Sequence, residues 1–180
     1  REAGEVIVFV GDGTFLMNPT ELVTAAQEGV KVTIVIAENH GYQVIRQLQM
    51  NRVGHSFGNE FRARDAETNR LEGQYIPLDL PKVAEGMGAR AWRVETPDQL
   101  RSALRAARAE SKPCVIVVET EKHRYLPGSG VWWDVAPAEA TDDPVTGQRR
   151  ADYERERAEF QRYYYGTEPP DHRGDDRATR

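Results

Sequence analysis

Two apolar runs, each ending in a polar turn that carries glycine, constrain this chain more than any other feature. The first, Val6-Ile7-Val8-Phe9-Val10, runs into Gly11-Asp12-Gly13-Thr14. The second, Val32 to Ala37, ends in Glu38-Asn39-His40-Gly41-Tyr42. Short β-branched runs bounded by turn residues read as buried strands, so Glu5–Val10 is expected to be a fully buried strand. Between the runs, Asn18-Pro19-Thr20-Glu21 reads as a helix start, with Asn18 as cap and Pro19 at the first helical position. Leu22, Val23, Ala26 and Val30 follow at helical spacing, and Gly29 closes the helix. Strand, helix and strand in that order predict two parallel neighbours joined by a crossover.

The same alternation continues. A helix is expected over Asp79 to Gly86 with Leu80, Val83 and Ala84 inward, then a strand at Ala91–Val94. Thr96-Pro97-Asp98-Gln99 is an N-cap signal opening a helix with Leu100, Leu104 and Ala107, and Pro113 to Glu119 is the last strand. The fold class is therefore α/β, a parallel sheet in a three-layer sandwich. Asn51 to Gln74 is polar and aperiodic and is expected to form a long surface loop or lid. Residues 1–138 are read as one domain. Residues 139–180 are read as a charged helical extension, laced with i,i+4 pairs over Gly147 to Tyr165, and a disordered tail from Gly166.

Composition narrows the function classes. Twenty-four Lys and Arg against 29 Asp and Glu leave a net charge of −5 with no basic stripe, which argues against nucleic acid as partner. No run of apolar residues is long enough to span a membrane, and Arg1–Glu5 lacks the apolar core of a signal peptide. Cys114, the single cysteine, sits in an apolar run and reads as a core residue; a cytoplasmic location is the expectation. The chain opens almost directly on a core-type strand without a starting methionine, which predicts the C-terminal piece of a longer protein.

In a parallel sheet, ligands collect where strands end and helices begin. Glycines let the backbone approach a phosphate closely, and a following helix offers N–H groups to it. Asp12 supplies a hard anionic oxygen that suits Mg²⁺ or Ca²⁺, which shares its shell between protein oxygens and diphosphate. Asn39 offers an amide oxygen, and Gly41, without a Cβ, can turn its carbonyl inward. One helix and one strand fill the 27 positions from Asp12 to Asn39, so the two can emerge side by side.

Gly11-Asp12-Gly13, a helix, a strand and Asn39-x-Gly41 together resemble the signature of thiamine diphosphate-dependent enzymes. The resemblance implies that Asp12, Asn39 and the Gly41 carbonyl hold Mg²⁺. It implies that Gly11, Gly13, Thr14 and Gly41 contact the cofactor, in a fold that lacks its first elements here; His40, next to the ligand Asn39, is weighed as a substrate or cofactor contact against a structural turn role. Glu38 departs from the pattern, which often has Asn at that position. A dehalogenase-type phosphatase, which also carries Gly-Asp-Gly, is disfavoured because Asn18 is followed by Pro19 rather than Asp and no upstream Asp-x-Asp is present.

Gln27-Glu28-Gly29, Glu38-Asn39-His40-Gly41, Phe57-Gly58-Asn59-Glu60-Phe61-Arg62 and Trp132-Trp133-Asp134-Val135 look like the branch that hydrolyses trihydroxycyclohexane-1,2-dione in bacterial inositol catabolism. That resemblance implies opening of a cyclic dione to 5-deoxyglucuronate. The activating Glu would come from the pyrimidine-binding domain of a second subunit, so no catalytic residue is assigned here; the full-length protein would be a homo-oligomer and this chain alone inactive. Another thiamine diphosphate enzyme, of acetolactate synthase or glyoxylate carboligase type, and a non-catalytic binding or assembly module stay open as alternatives. Arg46 is weighed as a phosphate partner against a solvated helix position, and His55 as a substrate contact. His123 is read as a surface residue, and Trp132-Trp133 as packing at a domain or subunit contact.

Overall fold

The computed structural model describes residues 4–124 and 136–160. In chain order the elements are β1 (Ile7–Gly11), α1 (Asp12–Met17), α2 (Glu21–Gln27), β2 (Thr33–Glu38), α3 (Gln43–Val53), α4 (Leu80–Gly86), β3 (Arg90–Val94), α5 (Pro97–Ala109), β4 (Cys114–Glu119) and α6 (Pro144–Phe160). They fall into two units, residues 4–48 with 56–124, and residues 49–55 with 136–160.

The first unit holds a four-stranded sheet in the order β1-β2-β4-β3, every neighbouring pair parallel. Side chains alternate across each strand, and β4 shows the consequence. Val115 and Val117 point to one face, where they pack with Phe15 of α1, Leu22 of α2 and Leu80 and Ala84 of α4. Cys114 and Ile116 point to the other, against Ala103 and Ala107 of α5. Apolar residues on both faces of one strand are what a three-layer sandwich demands. Val115, Ile116 and Val117 are fully buried, each contributing roughly 1.5–3 kcal/mol. Burial also pushes the Cys114 thiol up from its ordinary value, as for an inert core residue.

Local signals set the helix starts. Thr96 forms a full capping box with Gln99 at the head of α5, and Asp79 accepts from the Lys82 N–H at the head of α4. Gly29, at φ 61°, ends the α2 segment in the left-handed region, with the Val30 N–H reaching back to the Ala25 carbonyl.

Four expectations need correction. The Glu5–Val10 run is not a fully buried strand: β1 lies at the sheet edge, pairing with β2 alone among the described residues, and Ile7 and Phe9 are 50% and 73% exposed. Apolar character requires a cover but does not supply one: α5 packs on β3 and β4, and at the β1 end it contributes the Arg108–Glu5 ion pair. The second helix starts at Glu21 with Thr20 as its N-terminal flank rather than at Pro19 with Asn18 as cap; Asn18 instead accepts from the Thr20 hydroxyl and donates to Glu21. An additional helix, α1, begins at Asp12 itself, so the Gly-Asp-Gly turn is already the first helical turn. The polar stretch from Asn51 begins inside α3 and becomes irregular only after Val53.

Thr33 is 1% exposed and its hydroxyl has no hydrogen-bond partner among the described residues. Thr33→Val, which keeps the shape and removes the unsatisfied oxygen, is expected to raise stability by about 1 kcal/mol. The readout is the thermal midpoint; a midpoint that stays or falls would mean the hydroxyl is satisfied by solvent.

In the second unit α6 carries the expected i,i+4 pairs, Arg150 with Glu154 at 2.7 Å and Gln148 with Asp152 at 3.2 Å. The Arg52 and Arg150 guanidinium groups lie 5.3 and 5.4 Å from the centre of the buried Tyr153 ring. Among the described residues no helix is long and apolar enough to cross a membrane. Trp132, Trp133 and the tail from Gly166 lie outside the described residues.

Candidate cofactor and metal site

β1 and β2 are adjacent and parallel, in a register that sets Gly11 beside Ala37. Their polar extensions therefore leave the sheet together. Asp12, 1% exposed, is the centre of what they form. One of its oxygens, Oδ1, accepts from the Gly13 N–H at 2.7 Å; the other, Oδ2, accepts from the N–H groups of Asn39 at 3.0 Å and Gly41 at 3.2 Å. Burial raises the Asp12 carboxyl above its ordinary value and outweighs the lowering by these main-chain donors. A buried carboxylate that backbone dipoles only partly compensate is suited to a cation.

The orientation of Gly41 follows from its neighbours. The Tyr42 N–H donates to the Asn59 carbonyl at 2.7 Å, and the Phe61 N–H donates to the His40 carbonyl at 3.0 Å. Each peptide unit is trans, so its C=O points opposite to its N–H. With the Tyr42 N–H turned to Asn59, the Gly41 carbonyl must face away from that loop. With the His40 carbonyl turned to Phe61, the Gly41 N–H must do the same, and it is found on Asp12. A Cβ at Gly41 would lie 2.3 Å from the Asn59 oxygen, and its φ of 152° belongs to glycine.

The remaining candidates sort unevenly. Gly11 is open: among the described residues nothing lies within 4 Å of where a Cβ would stand, so a ligand can approach its backbone. Thr14 is exposed on the first turn of α1. Gly13 is occupied differently from the expectation, its N–H taken by Asp12 and its Cα covered by the Tyr42 ring, 2.7 Å from a built Cβ. His40 holds φ 59°, a strained value for a side-chain-bearing residue. Its Nδ1 is buried with no hydrogen-bond partner among the described residues, and its ring lies 5.3 Å from that of Tyr75. Among the described residues no three His, Cys, Asp or Glu side chains gather into a metal site. A cation here would have to be a hard one, held by one carboxylate with neutral oxygens and completed by ligand oxygens, which is how Mg²⁺ is bound beside a diphosphate.

Glu38, which departs from the family pattern, has a role of its own. It is 1% exposed, its carboxylate pairs with Arg93 of β3, and its carbonyl accepts from the Thr120 N–H and hydroxyl at 2.9 and 3.0 Å. These bonds fix the residue immediately before Asn39. Arg46 pairs with Glu60 at 3.4 Å rather than standing as a solvated helix position, and the partly exposed His123 also bonds Glu60, at 2.7 Å. His55 is exposed and belongs to the second unit.

Glu60 is the residue that sequence reasoning missed. Its carboxylate accepts from the Tyr75 hydroxyl at 2.5 Å, from Gln43 at 3.3 Å and from Arg62 at 3.1 Å, besides His123 and Arg46. Burial pushes the Glu60 carboxyl up, but the hydrogen bonds from Tyr75, His123 and Gln43 and the Arg62 charge outweigh it and hold it at about 2. The cluster's contribution is thus present above the ordinary glutamate range and lost only as pH falls toward that value. Only its position inside an Asn-Glu-Phe-Arg run of a polar loop marked it, which is not a signal of chemistry.

With its polar residues gathered at the ends of neighbouring parallel strands, this is an α/β domain of the kind that takes its ligand there. Residues 1–118 match the family described as thiamine pyrophosphate enzyme, C-terminal TPP binding domain, and the chain belongs to that family. It is 40% identical over 137 residues to the 3D-(3,5/4)-trihydroxycyclohexane-1,2-dione hydrolase of Geobacillus thermodenitrificans strain NG80-2, covering 76% of this chain and 21% of the relative. It is 36% identical over 144 residues to the enzyme of the same name from Clostridium tetani strain Massachusetts / E88, covering 80% and 22%. Among solved structures, the thiamine diphosphate-dependent 4-hydroxybenzoylformate decarboxylase of Rhodococcus jostii RHA1 superposes with a TM-score of 0.53 at 29% identity, over 65% of this chain and 20% of that one. The chain thus spans about a fifth of the length of the curated relatives it matches.

Proposed function

We propose that this chain is the thiamine diphosphate- and Mg²⁺-binding domain of a hydrolase that opens trihydroxycyclohexane-1,2-dione to 5-deoxyglucuronate in inositol catabolism. The observation that carries the cofactor reading is the Asp12 carboxylate between the two strand ends, bonded to the Gly41 N–H while the carbonyl of Gly41 faces away from the 59–61 loop. The substrate reading rests on the printed names of the relatives.

Asp12, Asn39 and the Gly41 carbonyl hold the metal, and Gly11, Gly13 and Thr14 lie along the diphosphate. Gly13 would serve there as the small residue that fits beneath the Tyr42 ring, its N–H being held by Asp12. His40, at the strained position of the turn, contacts the cofactor. Thiamine diphosphate, when bound, would supply a nucleophilic carbon and an electron sink for cleavage of a C–C bond beside a carbonyl, with water as the co-reactant of the hydrolysis. The contribution of this chain is to bind and orient. The activating carboxylate is assigned to a pyrimidine-binding domain of a second subunit in a homo-oligomer.

The test is a titration of the full-length protein with thiamine diphosphate, with and without Mg²⁺, followed by calorimetry. Saturable binding that disappears on chelation with EDTA is the expected result; binding indifferent to EDTA would refute the metal assignment. A second reading, a decarboxylase or carboligase of the same family, is favoured by the likeness to the Rhodococcus decarboxylase structure. Turnover of the cyclic dione against a 2-oxo acid separates the two.

A further inference from the structure

We propose that Glu60 is a positioning residue for the metal, holding Asn39 and Gly41 in ligand orientation from the far side of the turn. The inference rests on the cofactor reading above and adds to it a residue outside the signature motif. Two routes connect the Glu60 carboxylate to the ligand residues.

The first runs through the backbone. Asn59, Glu60 and Phe61 form a short antiparallel ladder with His40, Gly41 and Tyr42, in which Gly41 faces Glu60. That ladder turns the Gly41 carbonyl away from the loop, because it engages the Tyr42 N–H of the same peptide unit. The ladder consists of a single bridge, too short to be stable by itself, so something must press the segment onto the turn. The Glu60 side chain does this: it gathers Tyr75 from the far end of the loop, Arg62 beside it, His123 from beyond β4, and Gln43 and Arg46 from α3. These donors come from four separate stretches of chain, and they share the carboxylate as an acceptor.

The second route runs through Gln43, which is 4% exposed. Its Nε2 donates both to Glu60 at 3.3 Å and to the Asn39 main-chain carbonyl at 3.0 Å. The amide therefore ties the backbone of one predicted metal ligand to the carboxylate that holds the other. Groups that orient metal ligands in this manner typically change metal affinity by about 10–100-fold when removed.

The experiment measures Mg²⁺ affinity by calorimetry in the full-length protein at saturating thiamine diphosphate, alongside the thermal midpoint without ligand. Glu60→Gln keeps the side-chain shape and removes the charge that the two arginines and His123 address. It is expected to weaken Mg²⁺ binding by about 10–100-fold. Tyr75→Phe deletes one hydrogen bond and keeps the carboxylate; it is expected to shift affinity the same way by a smaller factor, and it carries the test if Glu60→Gln does not fold. Asp65→Asn is the control. Asp65 caps a turn in the same loop through the Glu67 and Thr68 N–H groups, at 2.9 Å each, without touching the ladder. It is expected to leave Mg²⁺ affinity unchanged. Equal weakening by Asp65→Asn would show general loosening of the loop and overturn the proposal. So would a folded Glu60→Gln protein that binds Mg²⁺ as the wild type does. Wild-type protein with no Mg²⁺-dependent cofactor binding would instead overturn the cofactor reading, and this one with it.

Discussion

Asp12→Asn is expected to abolish the Mg²⁺-dependent part of thiamine diphosphate binding. Asp12 is the carboxylate assigned to the metal; the other protein donors in that set, Asn39 and the Gly41 carbonyl, are neutral. Replacing it by an amide removes the formal charge that pairs with the cation and leaves one oxygen where there were two. The new NH₂ group must also face N–H donors: those of Asn39 and Gly41 on one side, or that of Gly13 on the other. Loss of a residue that merely supports a metal ligand costs about 10–100-fold in affinity, so loss of the ligand itself should cost at least about 100-fold. Folding stability moves far less. Relief from burying a charge offsets a donor–donor conflict of about 1–3 kcal/mol. Calorimetric titration of Mg²⁺ in the presence of cofactor reads the first effect and a thermal melt the second. A variant that binds Mg²⁺ like the wild type would remove Asp12 from the metal site.

Gly41→Ala is expected to be the most damaging single methyl in the first unit. The added Cβ would stand 2.3 Å from the Asn59 oxygen and 2.8 Å from the Glu60 Cα. Both are backbone atoms, which cannot rotate aside as a side chain can. The φ of 152° adds strain for any residue with a Cβ, on the order of 1–3 kcal/mol. Together with the overlap, at roughly 1–3 kcal/mol, the cost is about 3 kcal/mol or more, unless the 59–61 ladder detaches. Detachment would release the constraint on the Gly41 carbonyl, so the variant loses stability, metal affinity or both. The thermal midpoint and the Mg²⁺ titration measure the two. A protein unchanged in both would mean the turn adopts another conformation in solution.

The alternation of elements was legible because each carried a local signal: β-branched runs for β2 and β4, and the Thr96–Gln99 capping box for α5. Where such signals compete within a few residues, reading them failed. Asn18 and Thr20 are both acceptable caps, and which one flanks the helix was decided by the preceding helix α1, which ends at Met17. The edge position of β1 was also illegible. Its composition is that of a central strand, while its exposure depends on whether other chain elements lie beside it and over it.

At the site, residue type and spacing were enough to nominate Asp12, Asn39 and Gly41. A carboxylate, an amide and a glycine at the ends of consecutive parallel strands can hardly fail to come near one another. What they could not determine was the aim of each group. The direction of the Gly41 carbonyl is set by Asn59 and Phe61, and those are held by a carboxylate whose partners lie at Gln43, Tyr75 and His123. Which oxygens are available, and which strands carry them, follows from residue identity, local propensity and chain order. Where the oxygens point emerges only from packing, because orientation comes from hydrogen bonds between segments far apart in the chain, which no local pattern records.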